Sequence, residues 1–410
     1  MKVLWIVNTV FPFPAKVLGL KDNISGWWTV SLAEYIKQKV ELAVVCFYKG
    51  CDMIELMDNH IKYFLIPGKL EFKYSNKYVP YYNYINKVFQ PDIVHLNGTE
   101  YANCISYFNS NNKGKVVTSM QGVMQSIAIH YLDGLTNYDI ISNITIRDII
   151  KFDNLYLQKM KYQKAAISEQ KIIRLSDAVI GRTNYDFCYT RDCKRYFHCD
   201  ELMRPSFFNK NWSITNIENH SIFCSQGSYP VKGLHILLKA LCLLKLKYPD
   251  IKLYIAGLNI TDCGFKKTGY SNQISKFINK NNLRENVIFT GYLNEKQLLN
   301  RLLKTNVFVL PSSVENSSNS LCEATLLGMP CVVSYSGGTP DIVDTNQALF
   351  YQFADFCLLA ERIDRIFSDK TLAVSLGKNA KLKAMKRHDA NKISNTIINI
   401  YMDILEGQDE

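Results

Sequence analysis

Short apolar runs recur along the chain, each followed by a polar, turn-rich stretch. In the first half, runs at 3–7, 42–47, 61–66, 91–96, 116–119 and 177–183 have strand length. Most are apolar at consecutive positions, as strands buried on both faces are. A helical pattern fills 30–39, and polar, aromatic sequence of helical type fills 123–175. Residues 207–220 lose this period and read as a linker. The alternation then restarts, with strands at 221–225, 252–256, 286–290, 307–310 and 331–333, a helix at 234–246, and a helical C-terminal stretch. This order predicts parallel sheets in two α/β domains.

The most informative stretch runs from 307 to 343. Its strand stops at Pro311, and residues 312–319 are polar and read as a loop. Ser320 is a fitting helix N-cap, with Glu323 at capping-box spacing, and Gly328 and Pro330 end that helix. The strand 331–333 follows and leads to Gly337-Gly338. A polar loop and a helix N-terminus thus stand at the carboxyl end of a parallel strand, where open α/β sheets take ligands. Backbone N–H groups and the helix dipole favour a phosphate there, which makes Ser318, Asn319, Ser320 and Leu321 candidates to hold one. Glu315 and Glu323 bracket the loop with seven residues between them. A carboxylate repels phosphate and accepts from hydroxyls, so both are assigned to sugar or ribose hydroxyls.

Glu315 and Glu323, followed by Gly328-Met329-Pro330 and Gly337-Gly338-Thr339-Pro340, resemble the E-x7-E signature of glycosyltransferase family 4. The block covers about a tenth of the chain, with its parts in the family's order. The resemblance implies the GT-B fold: two facing Rossmann-like domains with a cleft, and a C-terminal helix crossing back to the first. Boundaries are expected at 1–205 for an acceptor-side domain, 206–385 for a nucleotide-sugar domain and 386–410 for the returning helix. It further implies a retaining transferase that uses a nucleotide-diphosphate sugar, with Glu323 on the ribose and Glu315 on the donor sugar.

Carried over residue by residue, Lys232 before Gly233 matches the family's diphosphate-binding lysine, and Gly26 its N-terminal glycine loop. The arginine that accompanies this lysine is replaced by Gly227. Many relatives hold a histidine against the donor sugar where this chain has Gln121, whose amide still bonds a hydroxyl. Tyr292 and Leu293, after strand 286–290, are placed against the base. Arg182 and Arg301 are the other cations considered for the diphosphate. His95, near the end of strand 91–96, is expected to point to the ligand edge. The acceptor is expected to be a glycan or lipid-linked glycan of bacterial surface-polysaccharide synthesis.

Composition changes this picture at a few points. The chain has 410 residues, 47% of them hydrophobic, enough for two cores. Its 12 cysteines form no paired framework, which suits reduced thiols, and Cys188, Cys193, His198 and Cys199 lack a zinc-ribbon spacing. Met1-Lys2 leads straight into a strand without a leader pattern, and no apolar run approaches the ~18 residues of a spanning helix. The expectation is a cytoplasmic protein, with peripheral contact at the inner face of the membrane. The net charge of +11 is spread over both halves, and residues 151–200 hold ten Lys or Arg against six acids. That excess suits anionic donors, phospholipid-linked acceptors or a negative membrane face.

No nucleic-acid motif occurs, so nucleic acid is not an expected partner. No Asp-x-Asp occurs either; no metal is assigned and no cofactor is expected beyond the nucleotide sugar, which is substrate. The absence of G-x-G-x-x-G after residues 3–7 argues against a dinucleotide oxidoreductase. Two rivals remain. One is a catalytically inactive nucleotide-sugar-binding subunit, favoured by Gly227 and Gln121. The other is a non-hydrolysing sugar-nucleotide epimerase on the same architecture.

Overall fold

The structure is a computed structural model that describes residues 1–20 and 26–407. It divides into two compact units. One comprises Met1–Gln125, Lys161–Arg204 and His388–Glu410; the other comprises Ser126–Met160 and Pro205–Arg387. Each is an α/β lobe built on its own sheet.

The first sheet has eight strands: β1 (Lys2–Val7), β2 (Glu41–Tyr48), β3 (Ile54–Asp58), β4 (Ile61–Pro67), β5 (Ile93–Asn97), β6 (Lys115–Ser119), β7 (Ala178–Gly181) and β8 (Tyr196–His198). Their order is β3-β4-β2-β1-β5-β6-β7-β8. All pair in parallel except β3, which folds back on β4 through Asn59 and His60 at φ 46° and 67°. That left-handed pair suits a tight hairpin turn.

The central strands are buried on both faces. In β1, Val3, Trp5 and Val7 enter one core cluster, and Leu4 and Ile6 enter the other. The first cluster is closed by the C-terminal helix Ala390–Glu406, through Ile393, Ile397, Ile400, Tyr401 and Ile404. The Trp5 indole donates to the Tyr401 hydroxyl at 3.0 Å. That hydroxyl lies 2.6 Å from His95 Nδ1, and His95 Nε2 lies 2.6 Å from Ser119 Oγ. His95 therefore does not point to the ligand edge as expected. It is 1% exposed and fastens the C-terminal helix to the sheet. A strand buried on both faces has no polar alternation to reveal which way a given side chain turns.

Burial, with Arg182 nearby, lowers the His95 pKa to about 3, and burial also lowers that of His235 to about 4. An unfolded chain protonates histidine near its ordinary 6.5, so between that pH and about 3 the unfolded state binds more protons. Stability should therefore fall as pH drops through this window. Glu169 runs the other way, because burial raises its pKa to about 7, but its effect ends near the ordinary 4.5. Below that pH the histidine slope stands alone among these three. Denaturant melts at pH 3.5–4.5 should show it, and His95→Gln should flatten it; an unchanged slope would count against the buried neutral imidazole.

The second sheet is wholly parallel. Its strands are β9 (Glu218–Cys224), β10 (Lys252–Ile255), β11 (Val287–Phe289), β12 (Thr305–Leu310), β13 (Cys331–Ser334) and β14 (Leu349–Tyr351), in the order β11-β10-β9-β12-β13-β14. The helix Asn319–Leu327 follows β12 and ends at Gly328, whose carbonyl lies against Gly377 of the helix Lys370–Arg387. A Cβ on Gly377 would sit 2.0 Å from the Gly328 oxygen, so the two elements touch backbone to backbone.

The stretch read as a linker is packed at its start. Phe207 is fully buried, and the Trp212 indole donates to the Thr305 carbonyl at 2.8 Å. Two isolated aromatic anchors leave no periodic signal. The edge strands β3, β8 and β14, only five, three and three residues long, were missed as well.

Candidate active site

Most of the expected residues collect at the carboxyl edge of the second sheet. After β9 the chain makes a turn at Pro230–Lys232 and reaches Gly233, at φ 68°. A Cβ on Gly233 would lie 1.7 Å from the Pro311 carbonyl oxygen. Only glycine lets the lysine turn rest on the end of β12. The Ser313 N–H donates to the Val231 carbonyl at 2.8 Å and ties the two loops again.

Lys232 Nζ sits 2.6 Å from Glu315 Oε1, and the Ser312 hydroxyl donates to the same oxygen at 2.7 Å. The two charged side chains are 19% and 12% exposed. Burial alone would lower the lysine pKa. The charge and hydrogen bond of Glu315, with Tyr229 beside it, outweigh that and hold Lys232 above the usual lysine range. It stays an ammonium throughout neutral and mildly alkaline pH.

Glu315 is held from behind. Gly337, at φ 52°, passes so close that a Cβ would lie 1.9 Å from the Glu315 carbonyl oxygen, and the Gly338 N–H donates to that oxygen at 2.8 Å. The Gly-Gly pair after β13 thus sets the backbone that carries the glutamate.

The helix Asn319–Leu327 begins just beyond. Ser318 is its N-cap, and the Ser318 side chain makes no capping hydrogen bond. The expected capping box of Ser320 and Glu323 does not form, because the helix starts one residue before Ser320. The Ser320 hydroxyl instead donates to Ser225 Oγ at 2.9 Å and meets Ser318 Oγ at 3.1 Å. Three hydroxyls therefore gather at the helix start. Leu321 is fully buried and offers only its backbone, and Glu323 is 7% exposed on the helix itself.

Tyr292 and Leu293 follow β11, three strands from β12 in the sheet order. That is about 14 Å at ordinary strand spacing. Tyr292 is 70% exposed. Arg301 lies elsewhere. Its guanidinium pairs with Glu218, the first residue of β9, at 2.7 and 2.9 Å, and covers the Tyr254 ring. It stands at the amino edge of the sheet, away from Lys232.

In the first unit, Gly26 is the left-handed N-cap of the helix Trp27–Ile36, at φ 80°. A Cβ there would meet the Thr9 side chain at 2.6 Å. Gly26 and Gln121 line a cavity of about 240 Å³ with Asn8, Thr9, Glu100 and Tyr101. The Gln121 amide donates to the Asn97 carbonyl at 2.8 Å. Arg182 is buried in this unit with its guanidinium over the Trp28 ring, 4.3 Å from the centroid.

Glu100 was missed from the sequence. It accepts from the Gly122 N–H at 3.0 Å and from the Asn8 amide at 3.1 Å, while burial raises its pKa. Its position just past Asn97-Gly98, at the carboxyl end of β5, was the available signal.

Residues 210–383 match the family model "Glycosyl transferases group 1". Among curated proteins, the chain is 28% identical over 242 residues to the uncharacterized glycosyltransferase YqgM of Bacillus subtilis, covering 57% of this chain and 64% of that protein. It is 25% identical over 168 residues to the capsular polysaccharide biosynthesis glycosyltransferase CapM of Staphylococcus aureus, covering 41% and 40% of the two chains. The alignments thus span less than two thirds of those relatives' own lengths. Among solved structures, sucrose-phosphate synthase from Thermosynechococcus elongatus superposes with a TM-score of 0.72 at 14% identity, covering 99% and 100% of the two chains. Anabaena Alr3699/HepE, in complex with UDP and glucose, superposes at 0.67 with 16% identity, covering 98% and 99%. The two lobes, with the C-terminal helices Lys370–Arg387 and Ala390–Glu406, match the GT-B architecture. Fold and similarity together point to a glycosyltransferase.

Proposed function

We propose that the chain is a retaining glycosyltransferase of family 4. It moves a sugar from a nucleotide-diphosphate sugar to a glycan or lipid-linked glycan during cell-surface polysaccharide synthesis, in the cytoplasm at the inner face of the membrane. One observation carries the reading. Two glycines, Gly233 and Gly337, lock Lys232 and Glu315 against each other, beside the start of the helix Asn319–Leu327.

In this reading the diphosphate lies against Lys232 and the backbone N–H groups of Ser318, Asn319, Ser320 and Leu321. As the glycosidic bond breaks, negative charge grows on the leaving diphosphate, and these donors stabilise it without reorganising. Glu323 takes the ribose hydroxyls. Glu315 takes a hydroxyl of the donor sugar and sets the anomeric carbon. The acceptor attacks from the face the diphosphate leaves, which retains configuration. Gly26 and Gln121 are assigned to the donor sugar, and Tyr292 and Leu293 to the base. The similarity to a capsular-polysaccharide glycosyltransferase supports the substrate class.

Incubation with a panel of nucleotide sugars, reading released nucleotide, tests the reaction. Transfer or slow hydrolysis is expected; epimerisation, or binding alone, would overturn it. The two glutamates should also separate. Glu323→Ala should weaken nucleoside-diphosphate binding by ~1–3 kcal/mol, for charge-assisted hydrogen bonds lost. Glu315→Ala should lower turnover while the diphosphate still binds. Calorimetric affinities that come out the other way round would reverse the two roles.

A further inference from the structure

A groove of about 950 Å³ opens on the first unit and holds none of the residues assigned above to the donor. One side is a face of the helix Leu155–Leu175, where Gln170 and Arg174 form one row and Ile167, Lys171 and Leu175 the next. The other side is the end of the helix Asn184–Tyr189 and the turn after it, with Tyr189, Arg191 and Asp192. The Gln170 amide ties the sides together, donating to the Tyr189 carbonyl at 3.2 Å.

Charge here is one-sided. Residues 161–195 hold eight Lys or Arg against four acids. Two of those acids, Glu169 and Asp186, are fully buried, whereas Arg182 is the one buried cation of the segment. The other two acids are engaged, Asp177 with Lys194 at 3.3 Å and Asp192 with Arg174 at 2.6 Å. That leaves Lys171 and Arg191 in the groove, which pair with no carboxylate among the described residues. Lys171 Nζ lies 5.7 Å from the Tyr74 ring centroid.

Cations alone suit any anion, and the rest of the lining selects among them. The amides of Gln125 and Gln170 can both donate to hydroxyls and accept from them. Two helices end here, at Leu175 and Tyr189, and the last carbonyls of a helix are acceptors. Acceptors welcome hydroxyl donors and repel a bare polyphosphate. Ile167 and Leu175, 73% and 41% exposed, offer apolar surface to a ring face beside Tyr189. One aromatic ring gives no platform for successive bases. The carboxylate of Asp192 on Arg174 shows the kind of anion this lining holds.

We propose that this groove binds an acidic oligosaccharide, with Lys171 and Arg191 on uronate carboxylates and Gln125 and Gln170 on hydroxyls. The inference rests on the transferase reading above and deepens it, because the groove anchors the grown part of a glycan acceptor. Gln125 is four residues from Gln121, so the groove begins within ~14 Å of the cavity that Gln121 lines. The segment between them is pinned at both ends. Gly122 donates to Glu100, and the Gln125 N–H donates to Glu169 at 3.3 Å.

Cys188 lines the groove and is exposed, as are Cys51 and Cys357 outside it. Alkylation of the full chain, mapped by peptide mass, therefore reads the groove with two internal controls. Oligogalacturonate should slow alkylation of Cys188 and leave Cys51 and Cys357 unchanged, and high salt should weaken the effect. A neutral malto-oligosaccharide of the same length should protect far less. In a Lys171→Gln, Arg191→Gln variant the concentration for half protection should rise at least about tenfold, for charge-assisted hydrogen bonds lost. Both side chains are exposed, so the variant should keep the parent's melting curve and nucleoside-diphosphate affinity. A parent Cys188 that oligogalacturonate does not shield overturns the proposal, as does a variant shielded as well as the parent. Equal protection by the neutral oligosaccharide, by polyphosphate or by oligodeoxythymidylate overturns it too. Nucleotide release from a donor is read separately: its absence overturns the transferase reading, while protection of Cys188 still decides the groove.

Discussion

Lys232→Ala should slow sugar transfer about a hundred- to a thousandfold, the ~2.7–4 kcal/mol expected for losing one preorganised donor. The parent's rate should be unchanged in excess EDTA. Both expectations follow from counting charge. A departing nucleoside diphosphate carries about two negative charges, the helix start supplies roughly half a positive one, and Lys232 supplies one more. Gly227 stands where the family's arginine would add another. Arg301 is engaged at the opposite edge of the sheet, and Arg182 is stacked on Trp28 in the first unit. Glu315, a carboxylate that a divalent cation would need, is instead bound to Lys232 and Ser312. Removing the lysine would also leave that carboxylate, 12% exposed, without its counter-ion. Initial rates of parent and variant, with and without chelator, decide the matter. Loss of the parent's activity in EDTA, restored by magnesium or manganese, would sink the metal-free mechanism. Near-normal turnover by Lys232→Ala would show that another cation holds the diphosphate.

Gly337→Ala should be almost as damaging to turnover, although this residue carries no chemistry. A Cβ 1.9 Å from the Glu315 carbonyl oxygen cannot be accommodated in place, so the backbone under Glu315 must move. A shift of about 1 Å in a positioning residue costs about a hundredfold in rate. The lysine turn and the helix start are held by other contacts, so nucleoside-diphosphate affinity should stay close to the parent's. Turnover and diphosphate binding measured on the same preparation make the test. A variant with parental turnover would show that Gly337 is not what places Glu315.

The residues of this site were legible because each solves a problem that leaves a mark in the chain. Lys232-Gly233 joins a charge to a backbone approach that only glycine permits, and Gly337-Gly338 lies behind Glu315 for the same reason. Runs such as Leu4–Val7 announced strands because both faces of the sheet are covered. That covering also hid what the runs could not show. With no alternation in β5, nothing indicated that His95 turns to the C-terminal helix rather than to a ligand. Ser320 and Glu323 had the spacing of a capping box, but Ser225 offered the hydroxyl a tertiary partner and the helix began earlier. Glu100 was overlooked because one acid after a strand resembles any solvated loop residue. The grouping of residues 126–160 with the second unit rests on contacts such as Thr145 to Lys267, which chain order cannot reveal.

The hydrogen bond from Trp5 to Tyr401 joins residues 396 positions apart. Tyr401 also meets His95 beneath the central strands of the first sheet. During synthesis, domains generally fold as units and the N-terminal one goes first. This chain cannot follow that order to completion. The segments of the second unit end at Arg387, so all of them are made before Tyr401 is. Until the helix Ala390–Glu406 arrives, the face of the first sheet that Trp5 occupies is covered only in part, by Phe11 and the helix Trp27–Ile36. The lobe that holds the earlier strands is therefore completed only after every segment of the other has been made, and a chain interrupted before Tyr401 leaves part of that face open.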